Sequence, residues 1–246
     1  MIFQTSSNPF EDFLTILASW DQIFTGFVMT MWLYAWALLI GFFIGLMLAI
    51  LRQYGGKIIS PLATGYIEIV RGTPMLIQLY LIYSLLLQPL GRGIWYTSFE
   101  LFGRDIAIVF FNARIIICII TLGLNSSAYQ AEYIRGAILS VSTGQLTAAQ
   151  SLGMSKIASI RHVVLPQALR RAIPSWSNEA AYLPKYTVIV SIIGVADIFN
   201  QAKNIGFRTY LYLPIYIVVA IIFLITITLI SKALDIIHKR TAIPGL

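Results

Sequence analysis

Residues 26–51 read GFVMTMWLYAWALLIGFFIGLMLAIL and hold no charged side chain. At 1.5 Å of rise per helical residue, such a run exceeds the roughly 20 residues needed to cross the hydrocarbon of a bilayer. It predicts a spanning helix, closed by the polar, glycine-rich Arg52-Gln53-Tyr54-Gly55-Gly56-Lys57. Composition agrees over the whole chain: of 246 residues, 58% are hydrophobic and 11% charged, and the mean hydropathy is +0.81. Soluble domains carry roughly a quarter charged residues, so lipid must be the solvent for much of this chain. A lone Cys118 in an apolar run excludes a disulfide scaffold or a Cys-rich metal site. The net charge of +7 needs no nucleic-acid partner, because cytoplasmic loops of membrane proteins hold an excess of Lys and Arg.

Upstream of this run, residues 1–24 read as a short extension with Glu11, Asp12 and Asp21, lacking the basic start and cleavage site of a secretory signal. Downstream, a second span is expected from about Leu62 to Leu90, kinked or started beneath the membrane surface by Gly72-Thr73-Pro74. A polar stretch from Gly91 to Asp105 follows, then a third span from Ile106 to Leu124. Residues 125–172, with Glu132, Arg135, Lys156, Arg161, His162, Arg170 and Arg171, read as a long loop of short helices. Pro174 to Val195 is a fourth span despite Asn178, Glu179, Pro184 and Lys185. After a polar interval with Asp197, Lys203 and Arg208, the run Leu211 to Leu234 is the fifth, and residues 236–246 form a tail with His238, Lys239 and Arg240.

The expectation is an all-α membrane protein of about five spans over residues 25–235. Five crossings put the termini on opposite sides. With the start outside, Arg52, Lys57, Arg135, Lys156, Arg161, Arg170, Arg171, Lys232, Lys239 and Arg240 fall inside, and Arg92, Arg104, Lys203 and Arg208 outside. The positive-inside rule favours this orientation and places the long loop in the cytoplasm.

Within that loop, Ser142-Thr143-Gly144-Gln145 reads as a helix start, with Ser142 accepting from the N–H three residues on and Gln145 reaching back. The short helix meets Gly153, suited to a left-handed helix end. Ser155 starts a second helix, Lys156 to Val164, which stops at Leu165-Pro166, and Ile157, Ile160 and Val164 give it an apolar stripe. Small Ala148 and Ala149 permit close approach.

The segment Ala148-Ala149-Gln150-Ser151-Leu152-Gly153, with Ile160 and Val164-Leu165-Pro166-Gln167-Ala168-Leu169-Arg170-Arg171-Ala172-Ile173-Pro174, resembles the coupling loop of bacterial ABC importer permeases. Tyr66-Ile67-Glu68-Ile69-Val70-Arg71-Gly72-Thr73-Pro74, Ala128 to Ile138 and Ser191-Ile192-Ile193-Gly194-Val195 resemble, in order, the polar amino acid uptake branch of that family. The resemblance spans about residues 25–235. It implies a type I permease fold in the bacterial cytoplasmic (inner) membrane, paired with a second permease subunit. Two ABC ATPase subunits, carrying ATP and Mg, would dock on the lobe at about 140–172, touching Thr147, Ala148, Ala149, Gly153, Leu165 and Pro166. An external solute-binding protein would deliver the amino acid. Thr147 stands where the family usually has Glu, so that salt bridge is absent or replaced by a hydroxyl contact, and Lys185-Tyr186-Thr187 stands where many relatives read Lys-Asp-Thr.

The chain has no Gly-rich loop ending in Gly-Lys-Ser/Thr, so it is not itself the ATPase. His162 reads as a surface residue and Arg170 and Arg171 as solvated, with no metal site. Trp32, Tyr34 and Trp36 read as lipid-facing or interfacial, and Arg114 as snorkelling. Glu68 and Glu179 are costlier, since an ionisable group at membrane depth is disfavoured by about 2.5–3.5 kcal/mol on insertion scales. Glu68 either binds substrate or pairs with Arg71 three residues on. Glu179, after Asn178, has no basic residue three or four positions away and reads as a substrate ligand. A carboxylate binds the ammonium of any amino acid, and a second uncompensated one would favour a basic side chain: arginine, lysine, ornithine or histidine. The stretch Ser177-Asn178-Glu179 resembles basic amino acid permeases. The alternatives are a glutamine or glutamate permease and, from other classes, an ATP-independent secondary transporter or an intramembrane enzyme, for which neither His162 nor His238 lies in a span.

Overall fold

The computed structural model describes residues 9–87, 95–101 and 104–241. Residues 1–8 of the expected extension, the end of the expected second span at 88–90, Arg92 and residues 242–246 of the tail lie outside the described residues. Helix α1 covers Pro9–Leu17 and α2 covers Trp20–Tyr54. The first spanning helix therefore starts at Trp20, within the stretch expected as an extension. Helices α3 (Gly56–Gly72) and α4 (Met75–Leu86) are separated by Thr73 and Pro74, both extended, so the expected break is present. Helix α5 runs Ala113–Ser140, α6 Thr143–Ser151 and α7 Lys156–Ser159. A π turn over Ile160–Val164 leads into α8, Leu165–Tyr186, and a 3₁₀ stretch follows over Thr187–Ile193. Helices α9 (Ile198–Thr209) and α10 (Tyr212–Thr241) complete the chain. Among the described residues, three helices are long and apolar enough to cross a membrane, or up to five if each bent helix pair counts as one span.

Further boundaries differ from expectation. The third span does not begin at Ile106, because strands β1 (Trp95–Leu101) and β2 (Arg104–Phe111) form an antiparallel hairpin. A β-branched and aromatic run such as Ile106 to Phe111 suits a strand as well as a span. Helix α5 starts after Asn112, whose Oδ1 accepts from the Ile115 N–H at 2.9 Å. It then continues sixteen residues past Leu124, because the polar residues taken for a loop find partners while Ala128, Ala131 and Ile134 are buried. Leu165-Pro166 does not stop the second lobe helix. The π turn precedes it, with the Leu165 N–H donating to the Ile160 carbonyl, and Pro166 occupies the first turn of α8, where a missing N–H costs little. The polar interval after the fourth span is α9, capped by Asp197 and burying Ile198, Ala202, Ile205 and Gly206 on one face.

The chain divides into two compact units: residues 1–37, 74–122 and 183–227, and residues 38–73, 123–182 and 228–246. In the first, Ile16 of α1, α9 and the start of α10 form a core of Ile16, Ile198, Ala202, Ile205, Leu211, Ile215 and Val219. Trp32 there donates from Nε1 to the Phe110 carbonyl at 3.0 Å and packs edge-on against Phe110, Phe111 and Trp36. Trp32 and Trp36 are both half-buried, so each spends only part of its surface on this packing. In the second unit, Ala49 of α2, Ile134 to Val141 of α5 and its end, and Val164, Ala168 and Ala172 form a core. Gly41 and Gly45, one turn apart on α2, bring that helix close to α5: a Cβ at Gly45 would lie 2.9 Å from the Ser127 carbonyl oxygen and 3.1 Å from the Ala131 nitrogen.

Candidate functional site

The lobe is built by local caps. Ser142 caps α6, but its Oγ accepts from the Gly144 N–H at 3.3 Å, so the donor lies two residues on and not three. At the other end, the Gly153 N–H donates to the Gln150 carbonyl and the Met154 N–H to the Ala149 carbonyl, at 2.9 and 3.1 Å. With Gly153 at φ +89°, this pair of bonds is a Schellman turn. Ser155 accepts from the Ala158 N–H at 3.2 Å and caps α7. Ala149 is buried and Leu165 half-buried, while Thr147, Ala148, Gly153 and Pro166 are exposed. Leu146 and Val164 root the lobe in the second unit's core. Leu152 and Ile157, 86% and 78% exposed, leave its outer face apolar, so Ile157 does not join the buried stripe of Ile160 and Val164. Arg171 is not merely solvated: its guanidinium donates to the Ser140 carbonyl at the C-terminus of α5, where a cation is favoured. His162 and Arg170 are exposed, as expected.

Glu179 is 4% exposed. Its Oε1 accepts from the Ser126 hydroxyl at 2.7 Å, and no cation lies within ion-pair distance among the described residues. Ser126 and Gln130 stand one turn apart on α5, and Trp176 and Glu179 three residues apart on α8, so each pair shares a helix face. The Gln130 amide nitrogen lies 3.0 Å from Ser126 Oγ and 3.2 Å from the Leu38 carbonyl, and its oxygen accepts from Trp176 Nε1 at 2.6 Å. Asn178, the other expected ligand on α8, is exposed. Ser126, Gln130 and Trp176 were not singled out as site residues in the sequence. Two buried polar residues at a spacing of four inside an apolar helix were the available signal.

Glu68 has different partners. Its carboxylate, 60% exposed, lies 3.2 Å from Arg52 Nη2, while Arg52 Nη1 pairs with Glu132. Arg135 grips Glu132 with two bonds of 3.1 and 2.9 Å, which completes a chain Glu68, Arg52, Glu132, Arg135. The expected alternative partner, Arg71, instead lies 5.3 Å from the Tyr129 ring centroid. Glu68 thus has a cation partner sixteen positions away, whereas Glu179 has a hydroxyl. Groups of three or more His, Cys, Asp or Glu able to hold a metal are not found among the described residues.

The family model described as binding-protein-dependent transport system inner membrane component matches residues 41–243. The nopaline transport system permease protein NocM of Agrobacterium fabrum (strain C58 / ATCC 33970) is 34% identical over 225 residues, 90% of this chain and 88% of its own. The glutamine transport system permease protein GlnP of Escherichia coli (strain K12) is 33% identical over 232 residues, 94% of this chain and 98% of its own. Among solved structures, an amino acid ABC transporter crystallised with histidines superposes with a TM-score of 0.76 at 36% identity, covering 93% of this chain and 98% of that one. The MetNI methionine ABC transporter, facing inward, superposes with a TM-score of 0.62 at 19% identity over 96% of this chain and all of its own, a likeness of fold alone.

Proposed function

The chain belongs to the family of binding-protein-dependent transport system inner membrane components, the permease subunits of ABC importers, and from that membership we propose that it carries polar amino acids, basic ones in preference, through the inner membrane. The carrying observation is Glu179, a buried carboxylate whose partner is a hydroxyl and not a cation. A substrate ammonium or guanidinium there gains a charge-assisted bond in a site where water screens weakly. The solved relative crystallised with histidines supports a basic substrate. The glutamine permease favours a second reading, in which an amide donates to the same carboxylate. In the complex assembled with its ATPase subunits, Glu179→Gln is expected to weaken ATPase stimulation by arginine or histidine about tenfold, far more than Arg114→Ala does. Glutamate as the preferred substrate, or an unchanged response to basic amino acids in Glu179→Gln, defeats the basic reading.

Two ATPase subunits bind ATP and Mg and dock on the lobe through Thr147, Ala148, Gly153 and Pro166, beside the exposed Leu152 and Ile157, while the expected contact Ala149 is buried beneath them. A second permease chain completes the pathway, and a binding protein delivers the amino acid from outside. ATP-driven closure then moves the lobe as a lever that switches the spans between outward and inward states. The N-terminus lies outside and the tail in the cytoplasm. In a Cys118-free background, cysteines at Ser98 and Asn200 should label from outside and one at Ser155 only from inside. Labelling of Ser155 from the external face of intact cells overturns this orientation.

A further inference from the structure

We infer, resting on the reading of Glu179 as the substrate's ligand, that Gln130 is its positioning residue: it fixes the direction of the Ser126 hydroxyl, and the substrate therefore meets Glu179 as an acceptor already oriented. The proton directions follow from what each group can do. An indole N–H only donates, so the atom of the Gln130 amide 2.6 Å from Trp176 Nε1 must be the oxygen. The amide nitrogen then holds two hydrogens and faces two acceptors, the Leu38 carbonyl at 3.2 Å and Ser126 Oγ at 3.0 Å. Ser126 Oγ accepts from Gln130 and has a single proton left, with Glu179 Oε1 at 2.7 Å in front of it. Turned toward Gln130 instead, that proton would strand a buried amide hydrogen and leave Glu179 without its donor.

Space for this relay comes from α2. A Cβ at Gly41 would lie 2.5 Å from the Gln130 amide nitrogen and 3.1 Å from Ser126 Oγ, so any larger residue there displaces the amide. Gln130 and Ser126 are both 0% exposed, so water does not substitute for a lost partner. The consequence is a specificity rule. With the Ser126 proton committed to Glu179, these groups offer a ligand no donor, and the incoming group must bring its own. Ammonium, guanidinium and amide groups do so, whereas the side chain of glutamate or aspartate meets only acceptors.

The test is a double-mutant cycle in the permease assembled with its ATPases in proteoliposomes, reading the half-saturating concentrations of arginine, glutamine and glutamate. Ser126→Ala and Gln130→Met are each expected to raise the value for arginine about tenfold. The double variant should be no worse than either single one, because Gln130 acts through Ser126. An additive double variant, at about a hundredfold, overturns the relay. Gln130→Glu reverses its polarity, since a carboxylate there accepts from both Trp176 and Ser126 and draws the hydroxyl off Glu179; a wild-type value for arginine in that variant overturns the relay too. If Gln130→Met fails to assemble, Trp176→Phe removes the indole N–H together with part of the ring and should raise the arginine value about threefold, an unchanged value again overturning the assignment. Glu179→Gln separates the two ideas. No effect there defeats Glu179 as ligand, whereas an effect there beside inert Gln130 variants defeats the relay alone.

Discussion

The lobe over residues 142–164 and the buried polar seam of α5 lie in the same compact unit yet are held in opposite ways. Lobe bonds join residues two to five positions apart: Ser142 with Gly144, Ser155 with Ala158, Met154 with Ala149. Apart from Gln130 with Ser126, one turn apart on α5, seam bonds join residues 46 to 92 positions apart: Trp176 with Gln130, Ser126 with Glu179, Gln130 with the Leu38 carbonyl. Local caps make a lobe that keeps its shape as a small rigid body while its outer face stays free for a partner. The seam exists only when α2, α5 and α8 are packed together, so anything that shifts one helix is felt at Glu179. A transporter needs both, a stiff handle and a site that responds to helix position.

The sharpest way to break this contrast is to part the helices. Gly45→Val places a side chain against the α5 backbone, which has no rotamer to yield with, and is expected to cost roughly 3 kcal/mol through overpacking. Thermal melting of the detergent-purified complex reads it, and an unchanged Tm would mean that α2 and α5 do not depend on this close approach. Glu132→Gln comes next. It leaves Arg52 and Arg135 facing each other across a neutral amide, at about 2 kcal/mol, short of a fully buried pair because both arginines reach water. Glu68→Gln, at the exposed end of the same chain, should shift the melt by less than about 0.5 kcal/mol; equal effects from the two would show that the chain has no protected centre. The smallest shift of the melt itself is expected in the lobe. At Gly153 a Cβ meets open space, so Gly153→Val suffers only from its left-handed backbone, about 1 kcal/mol, confined to the Schellman turn. The Tm should barely move while the ATPase subunits detach or uncouple in a pull-down with an ATPase assay, and normal assembly with normal transport removes the lobe from the coupling path.

Both caps of the lobe were legible because a serine before a helix and a glycine after it act on their immediate neighbours. The first span was legible for a similar reason, since 26 apolar residues are a property of the chain alone. Residues 125–140 were misread as loop, because Gln130, Glu132 and Arg135 look solvated until their partners arrive from Leu38, Trp176 and Arg52. The hairpin over Trp95–Phe111 was hidden by the opposite ambiguity, an apolar run short enough to be strand or span.

The sequence by itself determined that this chain lives in lipid, that its second span breaks at Gly72-Thr73-Pro74, where its lobe is capped and which family its motifs resemble, because hydropathy, capping and turn chemistry act over a few residues. Only the tertiary structure decided that Glu68 pairs with Arg52 while Glu179 meets the Ser126 hydroxyl, and that Gln130 stands between that hydroxyl and the Trp176 indole. Charge pairing and hydrogen-bond direction depend on which helices touch, and helices one turn out of register would bring different side chains together from the same sequence.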